Sequence, residues 1–261
     1  MTAPVHLLWT GGWDSTFQLL RLLLVHRLPV QPIYLIDDKR NSLDVELRTM
    51  ARIRDELATR YPQTRSLMLP TWSAKVSEIR PDPEVDAAWA RLNAIEPLGT
   101  QYAWLGRFCR EHGLSEVETG FEKTRNGAGA LLTDLGEPGV SAHGYPVDRI
   151  AKQHADAQIV FGYYAFPLFH ITKQDMAREV DERGWRPIML ATWFCHRPNE
   201  MQPCGVCNPC VGVVKAGLGW RIPAKRRLYG AVHRATIGFA KGLLRRLRDA
   251  LRGSQQAGAN A

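Results

Sequence analysis

The stretch that most constrains the fold lies near the start of the chain, where residues 5–16 read Val-His-Leu-Leu-Trp-Thr-Gly-Gly-Trp-Asp-Ser-Thr. Its apolar first half predicts a buried β-strand. The two glycines predict a tight turn in which backbone amides approach a ligand with no Cβ in the way. Asp14 or Ser15 can cap the helix that follows, predicted from about Asp14 to Arg27. This order favours an anion such as phosphate, while a plain turn in the core is the alternative on spacing alone.

Length and composition predict one α/β domain with a sizeable core and a small appendage, since the chain has 261 residues of which 45% are hydrophobic. No apolar run approaches the roughly 20 residues of a membrane span, and the N-terminus lacks the residue order of a signal peptide. We therefore predict a cytoplasmic protein without a transmembrane segment.

The formal net charge of +8 is concentrated at the C-terminus. From residue 221 onward ten Lys or Arg accompany a single Asp, whereas the preceding 220 residues carry 24 basic and 25 acidic side chains. Basic and apolar residues alternate over 224–252, which predicts a pair of amphipathic basic helices. These helices either pack on the body or dock to a partner protein, an acidic membrane surface or nucleic acid. Residues 253–261 are predicted to be disordered.

The middle of the chain reads as alternating strands and helices. A strand over Val30–Ile36 ends in a polar run that begins at Asp37, where a parallel sheet would expose it to a ligand. The other predicted elements are a helix over Leu43–Arg60, a strand over Ser66–Leu69, short helical pieces to about residue 113, a strand ending on Gly120, a strand over Ile159–Ala165 and a helix that Thr172 caps.

Two segments allow more than one interpretation. Trp72, Trp89 and Trp104 can shape a pocket for a flat ring, although packing in the core is the commoner role for such residues. Residues 124–141 are rich in glycine and are predicted to form a mobile loop, either a lid over an active site or a surface loop.

Lys173 lies near a predicted helix start, where its positive charge suits a bound phosphate, and a surface lysine is the alternative.

The strongest local pattern is a cluster of four cysteines with the spacing Cys-x8-Cys-x2-Cys-x2-Cys: Cys195, Cys204, Cys207 and Cys210. Thiols stay reduced in the cytosol, so this spacing predicts a tetrahedral zinc site rather than disulfides. Four thiolates leave no coordination position for substrate, which makes the zinc structural. An iron–sulfur cluster is the alternative. The fifth cysteine, Cys109, is predicted to lie in the core.

The order Gly-Gly-Trp-Asp-Ser resembles the S-G-G-x-D-S loop of the N-type ATP pyrophosphatases, with Thr10 where that family usually has Ser. Together with the cysteines it resembles one branch, the 7-cyano-7-deazaguanine synthases (QueC-like enzymes). The branch has an Asp at a strand end, matched by Asp37, and a Glu-Leu pair, matched by Glu46 and Leu47. Its G-Y-P-x-x-R element is matched by Gly144, Tyr145, Pro146 and Arg149, and its P-L-x-x-x-T/D-K element by Pro167, Leu168, Thr172 and Lys173.

The resemblance covers residues 5 to 217 and implies a Rossmann-like (adenine nucleotide alpha hydrolase-like) parallel sheet flanked by helices, with ATP, Mg²⁺ and Zn²⁺ as cofactors. It indicates an ATP pyrophosphatase domain (1–190) and a small zinc-binding segment with the four cysteines (191–222), while the basic amphipathic helical tail (223–261) lies outside the resemblance. It also implies the roles of individual residues. These are ATP binding by Thr10, Gly11, Gly12, Trp13, Asp14, Ser15, Thr16 and Asp37; catalysis by Asp14, Ser15 and Lys173; and substrate binding by Gly120, Gly144, Tyr145, Pro146 and Arg149.

The implied reaction is adenylation of a carboxylate such as 7-carboxy-7-deazaguanine, followed by amide and nitrile formation with ammonia. Two departures affect the substrate: Leu98-Gly99-Thr100-Gln101 stand after Pro97 where the family has an Arg-Asn pair, and the segment between Gly120 and Gly144 is longer and lacks the usual acidic residue. Alternatives are transfer of the activated deazaguanine to a protein amine, as in relatives that act in antiphage defence, a tRNA-modifying enzyme of the same fold, and a binding module without catalysis. A homodimer is compatible with each of them.

Overall fold

The chain divides into two compact units, Met1–Trp193 and Phe194–Ala261. The computed structural model describes residues 3–122 and 128–236 of these units. The first unit carries the sheet, and the second carries the cysteine cluster.

The described part of the first unit contains seven strands: β1 (Val5–Leu8), β2 (Val30–Ile36), β3 (Trp72–Lys75), β4 (Val117–Glu118), β5 (Gly136–Val140), β6 (Pro146–Ile150) and β7 (Tyr164–Ala165). Five of them form one parallel sheet in the order β3-β2-β1-β4-β7. The other two, β5 and β6, pair as an antiparallel hairpin.

Nine α-helices belong to the same described residues of this unit: α1 (Trp13–Leu20), α2 (Leu43–Arg60), α3 (Thr64–Leu67), α4 (Pro83–Ile95), α5 (Gln101–Glu111), α6 (Ala128–Leu135), α7 (Ala155–Phe161), α8 (Lys173–Glu182) and α9 (Arg186–Leu190). A π-helical turn, Arg21–Val25, extends α1, and a 3₁₀ turn, Val76–Glu78, follows β3. The sheet and these helices make a mixed α/β fold.

The sheet buries both faces, because successive residues of a strand point to opposite sides. Tyr34 on β2 packs into a cluster with Phe17 of α1 and Ile53 of α2. Its neighbours Ile33 and Leu35 pack into a second cluster, with residues of α4, α5 and α7. This two-sided burial explains the nearly continuous apolar run of β2.

The order of the strands reverses next to β1, because the chain runs outward from β1 to β2 and β3 and then returns to place β4 on the other side of β1. In open parallel sheets, ligands bind outside the carboxyl ends of the strands at such a reversal. The glycine turn after β1 lies at this point, so the topology places the predicted loop where a ligand crevice is expected.

Several predicted elements are confirmed. The bounds of β2 and α2 match the prediction, and α8 begins with a capping box in which Thr172 and Asp175 bond each other's backbone N–H groups. Cys109 is fully buried in the core.

Three predicted elements are wrong. Ser66–Leu69 is not a strand, because Thr64–Leu67 turns as a short helix, Met68 makes one bridge to Val30, and β3 begins only at Trp72. Ile159–Ala165 is a strand only at its last two residues, since Val160 and Phe161 lie on α7 and pack into the core from a helix.

The third wrong prediction is the loop over 124–141, because the part of this segment that the structure describes is not a loop. Its residues form α6 and β5, because Leu132 at helical spacing buries fully and the glycines of β5 let that strand pair closely with β6. A Cβ on Gly139 would lie 2.5 Å from a guanidinium nitrogen of Arg149. Residues 123–127 lie outside the described residues.

The second unit is described from Phe194 to residue 236. It contains α10 (Asn208–Lys215), a 3₁₀ turn at Gly219–Arg221 and a helix over 224–236, here called the C-terminal helix. The predictions for 237–261, including the second basic helix, lie outside the described residues. Over the described ranges, no helix combines the length and the apolar character that crossing a bilayer requires.

Candidate functional site

The glycine turn between β1 and α1 is held from behind by its neighbours. Gly11 has a φ of +70°, and a Cβ there would lie 3.1 Å from Thr49 and 3.3 Å from Met50 on α2. The carbonyl of Gly11 accepts a hydrogen bond of 2.9 Å from the backbone N–H of Trp193. Only glycine combines this conformation with this space, so the turn has one well-defined shape.

Gly12 is the N-cap of α1 and offers no side chain to the first backbone N–H groups of the helix. The first hydrogen bond of the helix runs from the N–H of Thr16 to the carbonyl of Gly12, at 3.1 Å. The first turn of a helix leaves N–H groups without a partner inside the helix, and the positive end of the helix dipole adds to them. The turn is therefore a backbone cradle suited to an anion.

Two hydroxyl residues of the predicted loop are buried. The Thr16 hydroxyl accepts a hydrogen bond of 3.0 Å from Nε1 of Trp9, and Thr16 is fully buried. Ser15 is buried as well. Among the loop residues predicted to bind ATP, Thr16 thus bonds through its side chain to Trp9, the residue that follows β1.

Gly120, which follows β4, lies directly against the start of α1. A Cβ on Gly120 would be 2.7 Å from the backbone nitrogen of Ser15 and 3.1 Å from Cβ of Asp14. Real Cβ atoms do not come so close to a nitrogen, which requires glycine at this position. The structure therefore brings Gly120 to the glycine turn although more than a hundred residues separate them.

Lys173, the first residue of α8, reaches the same place. Its Nζ contacts Oδ1 of Asp14 and lies 3.1 Å from Oε1 of Glu122. Two residues predicted to be catalytic, Asp14 and Lys173, thus meet across 159 positions of the sequence. The pKa of Glu122 is raised, mainly because burial disfavours its charged form, while the Lys173 ammonium acts in the opposite direction.

Sequence reasoning missed Glu122. Its only sequence signal is its place two residues after Gly120 at a strand end, where side chains face the crevice of a parallel sheet. The ammonium group of Lys173 already contacts two carboxylates, Asp14 and Glu122. It therefore lies at a position where anions bind, and a phosphate group could bind beside these carboxylates or replace one of them.

A small cavity of about 120 Å³ opens beside the glycine turn at the carboxyl ends of β1 and β2. Its lining residues are Leu8, Trp9, Thr10, Ile33, Leu35, Arg40, Gln101, Trp104 and Leu105. Ligand pockets in proteins usually reach about 300–1,000 Å³. The cavity thus has room for one end of a ligand, with Trp104 as a flat apolar wall and Arg40 and Gln101 as polar groups.

Asp37 does not line this cavity. Its Oδ1 accepts a hydrogen bond of 3.1 Å from the N–H of Lys39, and its carbonyl accepts one of 2.9 Å from the N–H of Arg40. Asp37 therefore shapes the turn after β2 and presents Arg40, which sequence reasoning noted only as part of a polar run.

Tyr145, predicted to bind substrate, is buried under α1. Its hydroxyl donates to Oε1 of Glu118, and Nε2 of Gln18 donates to Oε2 of the same carboxylate at 2.7 Å. The pKa of Glu118 is raised because burial outweighs these two hydrogen bonds, and that of Tyr145 is raised by burial and by the nearby carboxylate. The network joins β4, α1 and the β5–β6 hairpin.

Three further residues predicted to bind substrate, Gly144, Pro146 and Arg149, lie on that hairpin. Gly144 has a φ of +85° at its turn, and Pro146 begins β6. Arg149 forms a two-pronged ion pair with Glu116, at 2.6 Å from Nε to Oε1. Among the contacts of the described residues, neither Tyr145 nor Arg149 meets Asp14 or Lys173.

A contact between a histidine and a carboxylate, not found from the sequence, lies close to α8. Nε2 of His170 is 3.0 Å from Oδ1 of Asp148, and the two side chains are 71% and 9% exposed. A buried carboxylate that orients an exposed imidazole is a common way to prepare a proton acceptor. His170 precedes Lys173 by three residues, on the segment that leads from β7 to α8.

The four cysteines of the second unit form a compact cluster. Their sulfur atoms all lie within 4.8 Å of one another, with separations of 3.9 Å between Cys204 and Cys210 and 3.8 Å between Cys195 and Cys207. A tetrahedron of thiolates around zinc, with bonds of about 2.3 Å, has edges of about 3.8 Å. All five cysteines of the chain are free thiols. The cluster could hold a metal ion, and its geometry is compatible with zinc.

The backbone around this centre stabilises thiolates. The N–H of Cys204 donates to the sulfur of Cys195 at 3.2 Å, and the N–H groups of Val206 and Cys207 donate to the sulfur of Cys204 at 3.4 Å. The pKa of Cys195 is lowered, first by a hydrogen bond with the Cys210 thiol and then by backbone N–H groups. The pKa of Cys210 is raised by the same hydrogen bond and by burial, and that of Cys204 is raised mainly by burial, so without a metal Cys195 is the favoured thiolate of the cluster. A thiolate is the form that binds a metal.

Comparison with known proteins found no matching family model and no curated protein similar enough to match. The function of the chain is therefore inferred from its residues and their geometry.

Proposed function

We propose that the chain is an ATP-dependent ligase that activates a carboxylate as an acyl-adenylate. The observation that carries the proposal is the convergence of three separate segments at the start of α1: the glycine turn, the residues after β4 that include Gly120 and Glu122, and Lys173 on α8. Backbone N–H groups and a lysine at one point match the charge of a pyrophosphate, and the strand order of the sheet agrees with a Rossmann-like fold. The resemblance of the loop to the N-type ATP pyrophosphatases supplies the reaction class.

The chemistry follows from the leaving group. A carboxylate does not react with amines, since the oxygen to be displaced is a poor leaving group. When its oxygen attacks the α-phosphate of ATP, the bond from that phosphate to pyrophosphate breaks and AMP becomes attached to the acyl group. An amine then attacks the acyl carbon and AMP departs, which leaves an amide. Repeating the activation on the amide oxygen and losing AMP and protons gives a nitrile.

Each residue has a part in this scheme. The N–H groups at the start of α1 and the Lys173 ammonium bind phosphate oxygens, where negative charge increases in the transition state. Asp14, with its carboxylate at the same point, is the residue that would hold Mg²⁺, which supplies charge neutralisation at the phosphates. The cavity lined by Trp104 and Gln101 receives the flat base of the nucleotide or of the substrate. The cysteine cluster would hold Zn²⁺ as a structural ion.

The test is mass spectrometry of zinc-loaded protein incubated with ATP, Mg²⁺, 7-carboxy-7-deazaguanine and ammonium. We expect AMP, pyrophosphate and an amide or nitrile. AMP without either product means that the acceptor is another amine, for example one on a protein. No AMP with this acid means a different carboxylate, and no exchange of labelled pyrophosphate into ATP with any carboxylate tried would contradict adenylation.

Lys173→Met gives the matched comparison, with Lys152→Met at an exposed position as the control. Removing a group that stabilises charge in the transition state costs on the order of 10²–10³ in rate. We expect this loss for Lys173→Met alone. Equal activity of the two variants would show that Lys173 does not bind the phosphates in the transition state.

A further inference from the structure

The C-terminal helix turns its smallest residue inward and its largest apolar residues outward. A Cβ on Gly230 would lie 2.1 Å from the carbonyl oxygen of Gly205, and a Cβ on Gly205, which has a φ of +82°, would lie 2.2 Å from the carbonyl oxygen of Arg226. The helix therefore packs against the turn that carries Cys204 through two glycines. This contact fixes which side of the helix faces away.

The outward side is apolar. Leu228, Tyr229 and Val232 are 68%, 55% and 55% exposed, and they share one face of the helix because residues three and four positions apart are neighbours. Trp220, on the preceding 3₁₀ turn, is 57% exposed. A Cβ on Gly219 in that turn would lie 3.7 Å from Cδ of Arg227, so the turn lies beside the helix. Soluble proteins rarely expose several large apolar residues together unless the patch binds something.

Basic residues accompany this apolar face. Lys225 and Arg227 are exposed on the helix, and no acidic residue occurs between residue 201 and Asp249. The sequence continues the same alternation of apolar and basic residues to Arg252. A helix with Tyr and Leu on one face, an exposed Trp on the adjoining turn, Lys and Arg nearby and a strong positive charge is typical of segments that lie in the interface of an anionic bilayer.

We propose that the C-terminal helix and Trp220 dock the protein onto an anionic lipid surface. The outward apolar side chains enter the boundary between headgroups and acyl chains, and Lys225 and Arg227 pair with lipid phosphates. Nucleic acid is disfavoured as the occupant, since its phosphates would attract the basic residues but leave Leu228 and Val232 without apolar contact. This docking is independent of the proposed ligase reaction.

Co-sedimentation with vesicles tests the proposal on the full chain loaded with zinc. We expect binding to vesicles of phosphatidylcholine mixed with phosphatidylglycerol, weaker binding to phosphatidylcholine alone, and weaker binding as salt increases because surface charges are screened. Leu228→Ser with Val232→Ser should weaken binding about tenfold or more, given the apolar groups lost from the interface. Ile95→Ser with Val140→Ser, which removes two exposed apolar side chains outside this helix, is the matched control and should bind like the parent.

Other results would overturn the proposal. These are no sedimentation with either vesicle, equal binding by the two double variants, and binding to DNA or RNA without binding to vesicles. A dimer whose dissociation depends on Leu228 and Val232, with no vesicle binding, would instead assign the face to a second copy. Circular dichroism and zinc content of each variant confirm that the second unit is folded, so a loss of binding reports on the surface.

Discussion

At the scale of single residues, Gly120 is a position where a side chain would collide with the start of α1. Gly120→Ala should destabilise the protein by about 1–3 kcal/mol, because the new Cβ would be 2.7 Å from the backbone nitrogen of Ser15 and must displace the start of α1. Pyrophosphate release should fall with it. Denaturant unfolding and a pyrophosphate assay measure the two effects.

Gly212→Ala on α10 is the control for this substitution, since a Cβ on Gly212 meets nothing within 4 Å. Within a helix, alanine in place of glycine is favourable by roughly 0.5–1 kcal/mol. Gly212→Ala should therefore be neutral or slightly stabilising. If Gly120→Ala behaved in the same way, the close contact between Gly120 and α1 would be disproved.

Glu122 and Lys173 make a prediction about pH. Burial raises the pKa of Glu122 in the folded protein above its value in the unfolded chain. The folded protein therefore holds the proton of this carboxyl more tightly than the unfolded chain does, and Glu122 contributes less to stability as the pH rises above its pKa in the unfolded chain. Lys173 counteracts the shift. Lys173→Met should therefore lose more stability at pH 7 than at pH 5, and adding Glu122→Gln should remove most of that difference. Thermal unfolding at both pH values measures it, and a pH-independent loss would contradict the pairing.

At the scale of secondary-structure elements, the carboxylate of Glu118 links β4 to α1 and to the β5–β6 hairpin. Tyr145→Phe removes one donor from a buried carboxylate, which costs about 1–3 kcal/mol. The pKa of Glu118 should rise further, so the loss should be greater at pH 7.5 than at pH 5. Denaturant unfolding at the two pH values tests this. Tyr163→Phe, at a half-buried position, should change stability by less than about 0.5 kcal/mol.

The elements also show which predictions from sequence succeed. The strand β2 and the helix α2 were predictable to the residue, since each has a long, regular apolar pattern. The segment over 124–141 was not, because its glycines suggest a loop until the pairing partner β6 is known. The strand β3 was displaced from its predicted place for a similar reason: a run of four residues cannot distinguish a strand from a helical turn.

At the scale of the whole molecule, the two units make a prediction about metal removal. A chelator should release metal from the cysteine cluster and abolish protection from hydrogen exchange over 194–236, because the described part of the second unit has few other buried residues, while the sheet of the first unit stays protected. Cys204→Ser should have the same effect, and Cys109→Ala should retain the metal since Cys109 lies in the core. Unfolding of the sheet on chelation, or no change at all, would contradict this assignment.

The sequence by itself determined the local parts of this protein: the strand, glycine turn and helix at the start, the α/β alternation, and four cysteines at metal-binding spacing. These features depend on residues close together in the chain, where spacing and conformational preference act directly. Only the tertiary structure decided that Glu122 joins Asp14 and Lys173, that Gly120 touches Ser15, that Tyr145 is buried against Glu118 and that Leu228 faces outward. Those contacts join distant segments, and their existence depends on the order of the strands and on how closely backbones approach, neither of which a local pattern contains.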